Sequence, residues 1–528
     1  PESVTAGFRS SFVRSGITRL ASGDVRAAGK LFPLWGGNEI EAAVGGEFRF
    51  EAYDDYRPPF AGLNPAGSGL DPATNDFLGF SPNSDTHGNR HVAAAYVETS
   101  LPLVGKNFTL PLVRALEVSA SARYESYTDF GDTTKPKLGL AWRPFAGVLV
   151  RASYNEGFHA PNLAQLFTGS LVRTQSGVTD AYRLAVTNQL IDGPSNRRSV
   201  ASGNRGLKPE VSAGRSVGVA FDVPRVKGLS VSVDYWEIRQ RDVLTGLTAT
   251  DSVNNDRDVL QAATQAALAA GQSIGAIDLA SGSANYRGDP AIIRLPVTQA
   301  DRDAFAAYNA TQPAANQRAA VGAIDSLAIS YFNRARQFVN GFDFALNYRL
   351  PPTVLGNFTF DSSWMRLNDF HAYNSANAPR TELRETNAFA VGGGTPKWRG
   401  TTTLAWRRER WSAGVGLYYI GRYTDENATT TAAIYASLGS PGYIQPIVSR
   451  GATNYRYVVH DTKNYNVFAA YRFAGERRGL GGTELRLGVN NLFDAKPPLS
   501  SDSRGYDPAL HNALARGLSW SVQVTKKL

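Results

Sequence analysis

The chain has 528 residues, a formal charge of +9, no cysteine and one methionine, Met365. That length exceeds what one soluble hydrophobic core supports, and the lack of cysteine excludes a disulfide scaffold and thiolate metal sites. No run approaches the roughly 18 apolar residues of a membrane helix, and the basic residues scatter through turns and loops instead of forming a nucleic-acid stripe.

Pro1–Leu20 reads as loop. Strands are expected at Asp24–Phe32 and Glu41–Tyr53, then His91–Leu101, Ala115–Thr128, Lys135–Arg143 and Val148–Gly157. In the fourth of these, Val118, Ala120, Ala122 and Tyr124 alternate with Ser119, Ser121, Arg123 and Glu125. In the sixth, Val148, Val150, Ala152 and Tyr154 alternate with Leu149, Arg151, Ser153 and Asn155. Period 2 gives each strand one apolar and one polar face. Strands resume at Ala213–Phe221 and Leu229–Gln240. An insertion follows at 241–336, in which Val259–Ala270 and Gln299–Ala307 favour helix by propensity; a structureless loop of this length would be unusual. Further strands are expected at Gln337–Arg349, Gly356–Asp369, Pro396–Arg407, Trp411–Tyr423, Lys463–Phe473, Thr483–Leu492 and Gly517–Lys527.

Connections alternate between short and long, and the long ones cover about 54–90, 158–212, 241–336, 371–395, 424–462 and 493–516. Strands apolar on one side, with short turns at one end and long loops at the other, describe an all-β fold: a transmembrane antiparallel β-barrel of about 15 strands. Mean hydropathy is −0.26, as expected when every second residue faces a polar lumen. Short turns then face the periplasm, long loops face outside, and the C-terminus is periplasmic. Trp142, Tyr154, Phe158, Tyr235, Trp236, Trp364, Tyr418, Tyr419 and Tyr423 read as girdle residues at the headgroup level.

Several segments resemble the TonB-dependent outer-membrane receptor family. Asn155-Glu156-Gly157-Phe158-His159-Ala160-Pro161-Asn162 with Leu166-Phe167 resembles the family's element where a mid-barrel strand enters its loop. Gly203-Asn204-Arg205-Gly206-Leu207-Lys208-Pro209-Glu210 resembles the element ending that loop. Gly394-Thr395-Pro396-Lys397-Trp398-Arg399 is similar to the opening of a late strand. Val489-Asn490-Asn491-Leu492-Phe493-Asp494 and Gly505-Tyr506-Asp507, with Arg516-Gly517, resemble the closing motifs. The resemblance runs from about Asp24 to Leu528. It implies a 22-stranded barrel with a plugged lumen, so 1–528 reads as a partial barrel domain lacking roughly 7 strands, the plug and the segment that couples to a TonB-type energising protein. The chain starts at Pro1 without a signal peptide, so it is expected to be a processed form or a fragment. It ends in Leu528 where the family usually has an aromatic residue.

What the resemblance implies is active import of a scarce, bulky solute (an iron chelate, cobalamin or an oligosaccharide) across the bacterial outer membrane. No covalent chemistry, catalytic residue, cofactor or metal is implied. The implied partners are the plug and remaining strands, the energising protein, an extracellular solute and outer-membrane lipid. A passive porin-type channel, or a barrel that mainly docks a partner such as a surface lipoprotein, stands as the alternative. Phe158, His159, Arg205, Trp236 and Arg239 are the ligand-facing candidates at the mouth, since aromatic and Arg groups suit sugars and anionic chelates. Pro161 and Pro209 end strand pairing. Asn490 and Asn491 suit a strand end by bonding nearby backbone. Gly271-Gln272-Ser273-Ile274-Gly275 fits a nucleophile-elbow pattern but follows a helix-prone stretch, not a strand. His87 and His91 lie four apart in a loop, not on a helix. Asp251, Asn254, Asn255, Asp256 and Asp258 offer oxygens without the spacing of a calcium loop.

Overall fold

The structure, a computed structural model, describes residues 10–526 except 36–37, 73, 78–79, 81, 106, 109, 247–248, 374–379, 388–392, 450–451 and 475–479. In chain order the strands are β1 (Ser15–Pro33), β2 (Glu39–Tyr56), β3 (Thr86–Val104), β4 (Ala115–Tyr127), β5 (Gly131–Arg143), β6 (Val148–His159), β7 (Leu171–Val178) and β8 (Ser195–Ser202). They continue with β9 (Glu210–Asp222), β10 (Leu229–Gly246), β11 (Ile292–Arg294), β12 (Ile324–Arg349), β13 (Asn357–Tyr373), β14 (Thr381–Glu382), β15 (Trp398–Arg408) and β16 (Trp411–Ile420). The last are β17 (Tyr423–Thr430), β18 (Ile444–Ser449), β19 (Ala452–Val459), β20 (Thr462–Arg472), β21 (Thr483–Asn490) and β22 (Ser519–Lys526). No helix among the described residues is long and apolar enough to cross a membrane.

Omitting β7, β8, β11, β14 and β17–β19, the strands form one antiparallel meander in chain order. Each wall strand contains or overlaps one expected from the alternation. Among the described residues β1 pairs only with β2, and β22 only with β21. Every residue of β1 is exposed. The wall therefore has two open edges.

The two faces differ as the alternation requires. One cross-strand row joins Val150, Val219, Val233 and Phe344, and Val219 and Val233 are each 45% exposed. With Phe48, Val97, Leu138, Leu487 and Val522, also exposed, they form the apolar outer band that lipid would solvate. The next row inward joins Arg151, Gly218, Asp234 and Asp343. Arg151 makes a bidentate pair with Asp234, both contacts 2.6 Å. The pair spans two strands because Gly218 stands between them: a Cβ there would lie 1.9 Å from the Asp234 carboxylate. Glu47, Arg49, Glu51, Arg90, Arg123 and Glu125 form a second polar network on the same face.

Several boundaries move. β1 begins at Ser15, inside the segment read as loop, because Ser15–Lys30 ladders against β2. His87 and His91 lie on β3, not in a loop. The His87 ring is 3.1 Å from Asp54, and His91 is stacked on Phe48. β2, β3, β10, β12 and β13 run past their expected ends, since backbone pairing continues above the apolar band, where alternation fades. Among the proposed girdle residues, Trp142, Tyr154, Tyr235, Trp364 and Tyr419 share the outer rows. Trp236 and Tyr418 fall on lumen rows, and Tyr423 is buried in a loop at 1% exposure. Leu528 lies outside the described residues.

The loops between β6 and β9 and between β10 and β12 build a small unit of their own. Its helices span Ala181–Thr187, Ala249–Ala269 and Gln299–Ala310, the last two covering both segments expected to be helical. Tyr182, Leu260, Leu279, Phe305 and Val321 form its core. Arg294, fully buried, donates to Asp180 at 2.6 Å and to Asp256 at 2.7 Å. Burial opposes the charge on Arg294, but the two carboxylates outweigh it and hold the guanidinium pKa above its ordinary value. Burial pushes the Tyr182 phenol up to about 12. Asp256 is thus taken by Arg294 and Tyr286, Asn255 by Asp289 and Asp258 by Arg257. Ser273 stands at the start of a short 3-10 turn, Ile274–Ala276, without a side-chain capping bond.

Two outcomes test this architecture. Val219→Arg should destabilise the membrane-inserted barrel by about 2–4 kcal/mol, and Ser232→Arg on the lumen face much less; urea titration in lipid vesicles reads the difference. Arg294→Met should destabilise the loop unit by about 3–5 kcal/mol, because Asp180 and Asp256 are left buried without a cation. Limited proteolysis within 249–323 should accelerate while the barrel stays intact.

Candidate functional site

The long loops converge at one end of the wall. There they enclose a cavity of about 1420 Å³, lined by the Ala249–Ala269 helix, β14 with the residues after it, and the β17–β19–β18 sheet. Arg257, Arg380, Arg384, Arg422 and Arg456 line it, with Asp258, Glu382, Glu385 and Glu426 among them. Arg380 is pinned by Asp369 at 2.6 Å and Glu382 at 3.1 Å. Arg456 is paired with Glu426. Arg384 donates to the Asn368 carbonyl, while its Nε is buried without a hydrogen bond, 3.6 Å from Glu385. Arg456 Nε is likewise buried and unbonded. Arg422 is exposed, and among the described residues it has no ion-pair partner. Clustered guanidinium groups with spare donors suit an anion with planar or bidentate oxygens.

A second cavity of about 1120 Å³ lies against the lumen wall. Arg151, Asp234, Trp236, Asp343 and Arg399 line it, with Leu510, Ala513 and Leu514 of the Pro508–Ala515 helix. Asp234 and Asp343 sit directly opposite each other, and Arg151 holds only the first of them.

Asp507 links the linings of the two cavities without lining either: it caps the Pro508–Ala515 helix by accepting from the Ala509 N–H. Its other oxygen accepts the Tyr423 hydroxyl at 2.8 Å and the Gly394 N–H at 2.7 Å. Gly394 must lack a side chain, since a Cβ would lie 2.4 Å from the Tyr423 ring. Burial, with Asp507 as the next cause, holds the Tyr423 phenol above its ordinary range. His511, one turn along, is fully buried with neither ring nitrogen bonded, and lies 6.5 Å from Tyr423, ring to ring.

Of the residues singled out from sequence, Trp236 lines the lumen cavity and packs on the Leu367–Phe370 cluster. Phe158 sits in an aromatic group with Tyr127 and Phe130. His159 lies 3.2 Å from Glu210. Arg205 lies over Phe167 at 5.0 Å. Arg239 stands on the outer face, 3.1 Å from Glu237 and over Phe338. The structure does not bring these five together, and none lines the mouth cavity. Sequence reasoning passed over the mouth arginines because they lie in segments without period. Spacing gave no signal; only the density of Arg in Arg380–Arg384 did.

The motifs act mainly as joints. Asn162 and Gln165 form a capping box on the Leu163–Phe167 helix. Asn491 adopts φ 52 and bonds Ala495 through both side-chain atoms. Asp494 accepts from the Leu518 N–H, fixing the entry to β22. Among the described residues no group of three or more His, Asp and Glu is placed to hold a metal ion.

A family model described as TonB dependent receptor-like, beta-barrel, matches residues 4–492. No curated protein matches. Among solved structures, the chain is similar to the siderophore receptor PirA from Acinetobacter baumannii (14% identity, TM-score 0.56, 96% of this chain and 55% of that one). It is equally similar to a mutant of the ferric enterobactin receptor PfeA from Pseudomonas aeruginosa (14%, TM-score 0.56, 97% and 54%). At this identity the likeness is one of fold, and the chain spans about half the length of either structure.

The His511 joint predicts a pH response. Burial depresses the imidazole pKa, and the Asp507 charge opposes this only in part; Arg399 acts with the burial. A depressed His is neutral when docked, and the undocked ring takes up a proton below about 6.5. Docking of the helix is therefore at full strength above that value and weakens as pH falls through it toward the docked pKa. The protection factors of amides 508–515, with exchange referred to the intrinsic rate at each pH, should fall between pH 7.5 and pH 5.5. His511→Leu should remove that difference, and equal protection at both pH values in the unaltered chain would count against it.

Proposed function

Because the chain belongs to the TonB-dependent receptor-like β-barrel family, we propose that it is the wall and mouth of an active importer in the bacterial outer membrane, with the long loops outside the cell. The family is one of receptors and transporters, not enzymes. The observation that carries the substrate class is the mouth cavity: five arginines against four carboxylates, with Arg422 exposed and without an ion-pair partner among the described residues. That favours an anionic iron chelate over neutral cobalamin-like or oligosaccharide cargo. The structural neighbours described as siderophore and ferric enterobactin receptors agree with this choice.

The scheme also needs partners. Backbone groups at the open edges of β1 and β22 have no protein partner among the described residues, and lipid offers none. Further wall strands supply it in this reading, a plug fills the lumen, and a TonB-type protein delivers the energy. Capture at the mouth then precedes a conformational opening.

The test uses the intact receptor in cells and a ferric tris-catecholate as probe. Arg384→Ala with Arg456→Ala should weaken binding tenfold or more, about 1.4 kcal/mol or above, with surface expression unchanged. Deleting 249–323 should likewise reduce capture, because it removes Arg257 from the cavity lining, and should leave barrel assembly intact, because the flanking strands can still pair through a short turn. Uptake should stop when the proton-motive force is collapsed. Energy-independent uptake would instead establish a passive channel, and unchanged affinity in the double variant would move the ligand away from the mouth cavity.

A further inference from the structure

One charged surface is used by neither cavity. It lies at the long-loop rim of the wall, across β6, β9, β10, β12 and β13, around a groove of about 520 Å³. Two cross-strand rows build it. The lower joins Glu156, Ala213, Arg239, Phe338 and His371; the upper carries Arg241, Arg336 and Tyr373.

These side chains face away from the lumen. They share parity with exposed Val217, Val219 and Val233, which lie lower on the same strands. The opposite parity holds Gln337, 8% exposed, and Ala372, fully buried, beneath the Leu383 cluster. Height follows from β10. Its outward positions from the short-turn end are Leu229, Val231, Val233 and Tyr235, then Glu237, Arg239 and Arg241. At roughly 3.3 Å per residue on a strand tilted by about 40°, Arg239 and Arg241 stand about 25 and 30 Å above Leu229. That is the top of the apolar band, where lipid headgroups begin.

The charges are unbalanced even with Glu156 counted, which accepts the Tyr154 hydroxyl at 2.6 Å and lies 3.9 Å from Lys135. Glu237 serves Arg239 at 3.1 Å and Arg215 at 4.0 Å. Arg241 and Arg336 are direct cross-strand partners, and among the described residues neither has an ion pair; Arg336 rests on the Tyr373 ring at 4.4 Å. Like charges directly opposite destabilise a sheet unless an anion lies between them. At this height and on this face, the two guanidinium groups are open to anions of the headgroup layer.

We propose that this groove binds the phosphate groups of the outer-leaflet lipid, with Arg241 and Arg336 as a two-armed clamp and Arg239 as a third donor. Guanidinium groups match phosphate oxygens bidentately. Phe338 and Tyr373 lie beneath Arg239 and Arg336 and hold these guanidinium groups at the rim of the groove. The site holds the receptor at a fixed height and marks one flank of the wall for specific lipid.

The proposal rests on the membrane-barrel reading, and the two fail separately: partition into the membrane fraction tests the barrel, and headgroup selectivity tests the groove. The intact receptor in detergent is titrated with a bisphosphorylated glucosamine lipid, with the same lipid dephosphorylated, and with inorganic phosphate. The phosphorylated lipid should bind at least tenfold tighter than the dephosphorylated one, and millimolar phosphate should not displace it. Arg241→Glu with Arg336→Glu should abolish that preference, while Lys227→Glu in the opposite turn should leave it intact. If the double reversal fails to insert, Arg241→Gln with Arg336→Gln serves in its place. Equal binding of both lipids, displacement by inorganic phosphate, or an unchanged preference in the double variant would each overturn the proposal.

Discussion

The constraint on which everything else depends is that lipid bonds no peptide group. A chain crossing it as strands must give each backbone N–H and C=O a neighbour, and between β1 and β22 this sequence does so by the simplest route, a meander in which each wall strand pairs with the one before and the one after, leaving, among the described residues, only the outer edges of β1 and β22 open. Side-chain chemistry is then sorted by parity alone. Val150, Val219 and Val233 go to lipid, and their neighbours Arg151, Gly218 and Asp234 go to the lumen. The register is strongly specified, because a slip of one residue would send Arg151 and Asp234 into lipid.

Above the apolar band the rule changes. Both faces are wet, alternation no longer decides, and polar clusters take over as organisers. Arg294 between Asp180 and Asp256 ties two loops that are far apart in sequence, while Arg183 bridges Asp192 and Asp301. Such buried pairs are weak sources of stability, but each admits few partners. They suit a unit that must hold one shape at the end of a wall.

What was legible in the sequence follows this division. The wall strands could be read because lipid imposes period 2, and the Gln299–Ala310 helix and the second half of Ala249–Ala269 because Ala-rich propensity shows without context; the polar first half of the latter carried no such signal. The mouth was not legible. Arg384 and Arg456 lie in different loops and meet only through folding, and nothing in either segment marks its partner. Trp236 illustrates the limit from the other side. Its aromatic character suited a girdle, but its parity places it with Asp234 in the lumen. The family motifs were read as structural joints at strand ends, and Asn162, Asn491 and Asp494 hold such places. That Gly394 and Asp507, from two different motifs, would bond each other could not be read from either alone.

That last contact turns three loops into one mechanical part. Tyr423 borders the outer chamber, its hydroxyl rests on Asp507, and the helix beginning at the next residue borders the inner one. A shift of Tyr423 would carry the first turn of that helix with it, because one carboxylate holds both. The outer chamber thus has a rigid lever, a single side chain long, onto the space beneath it.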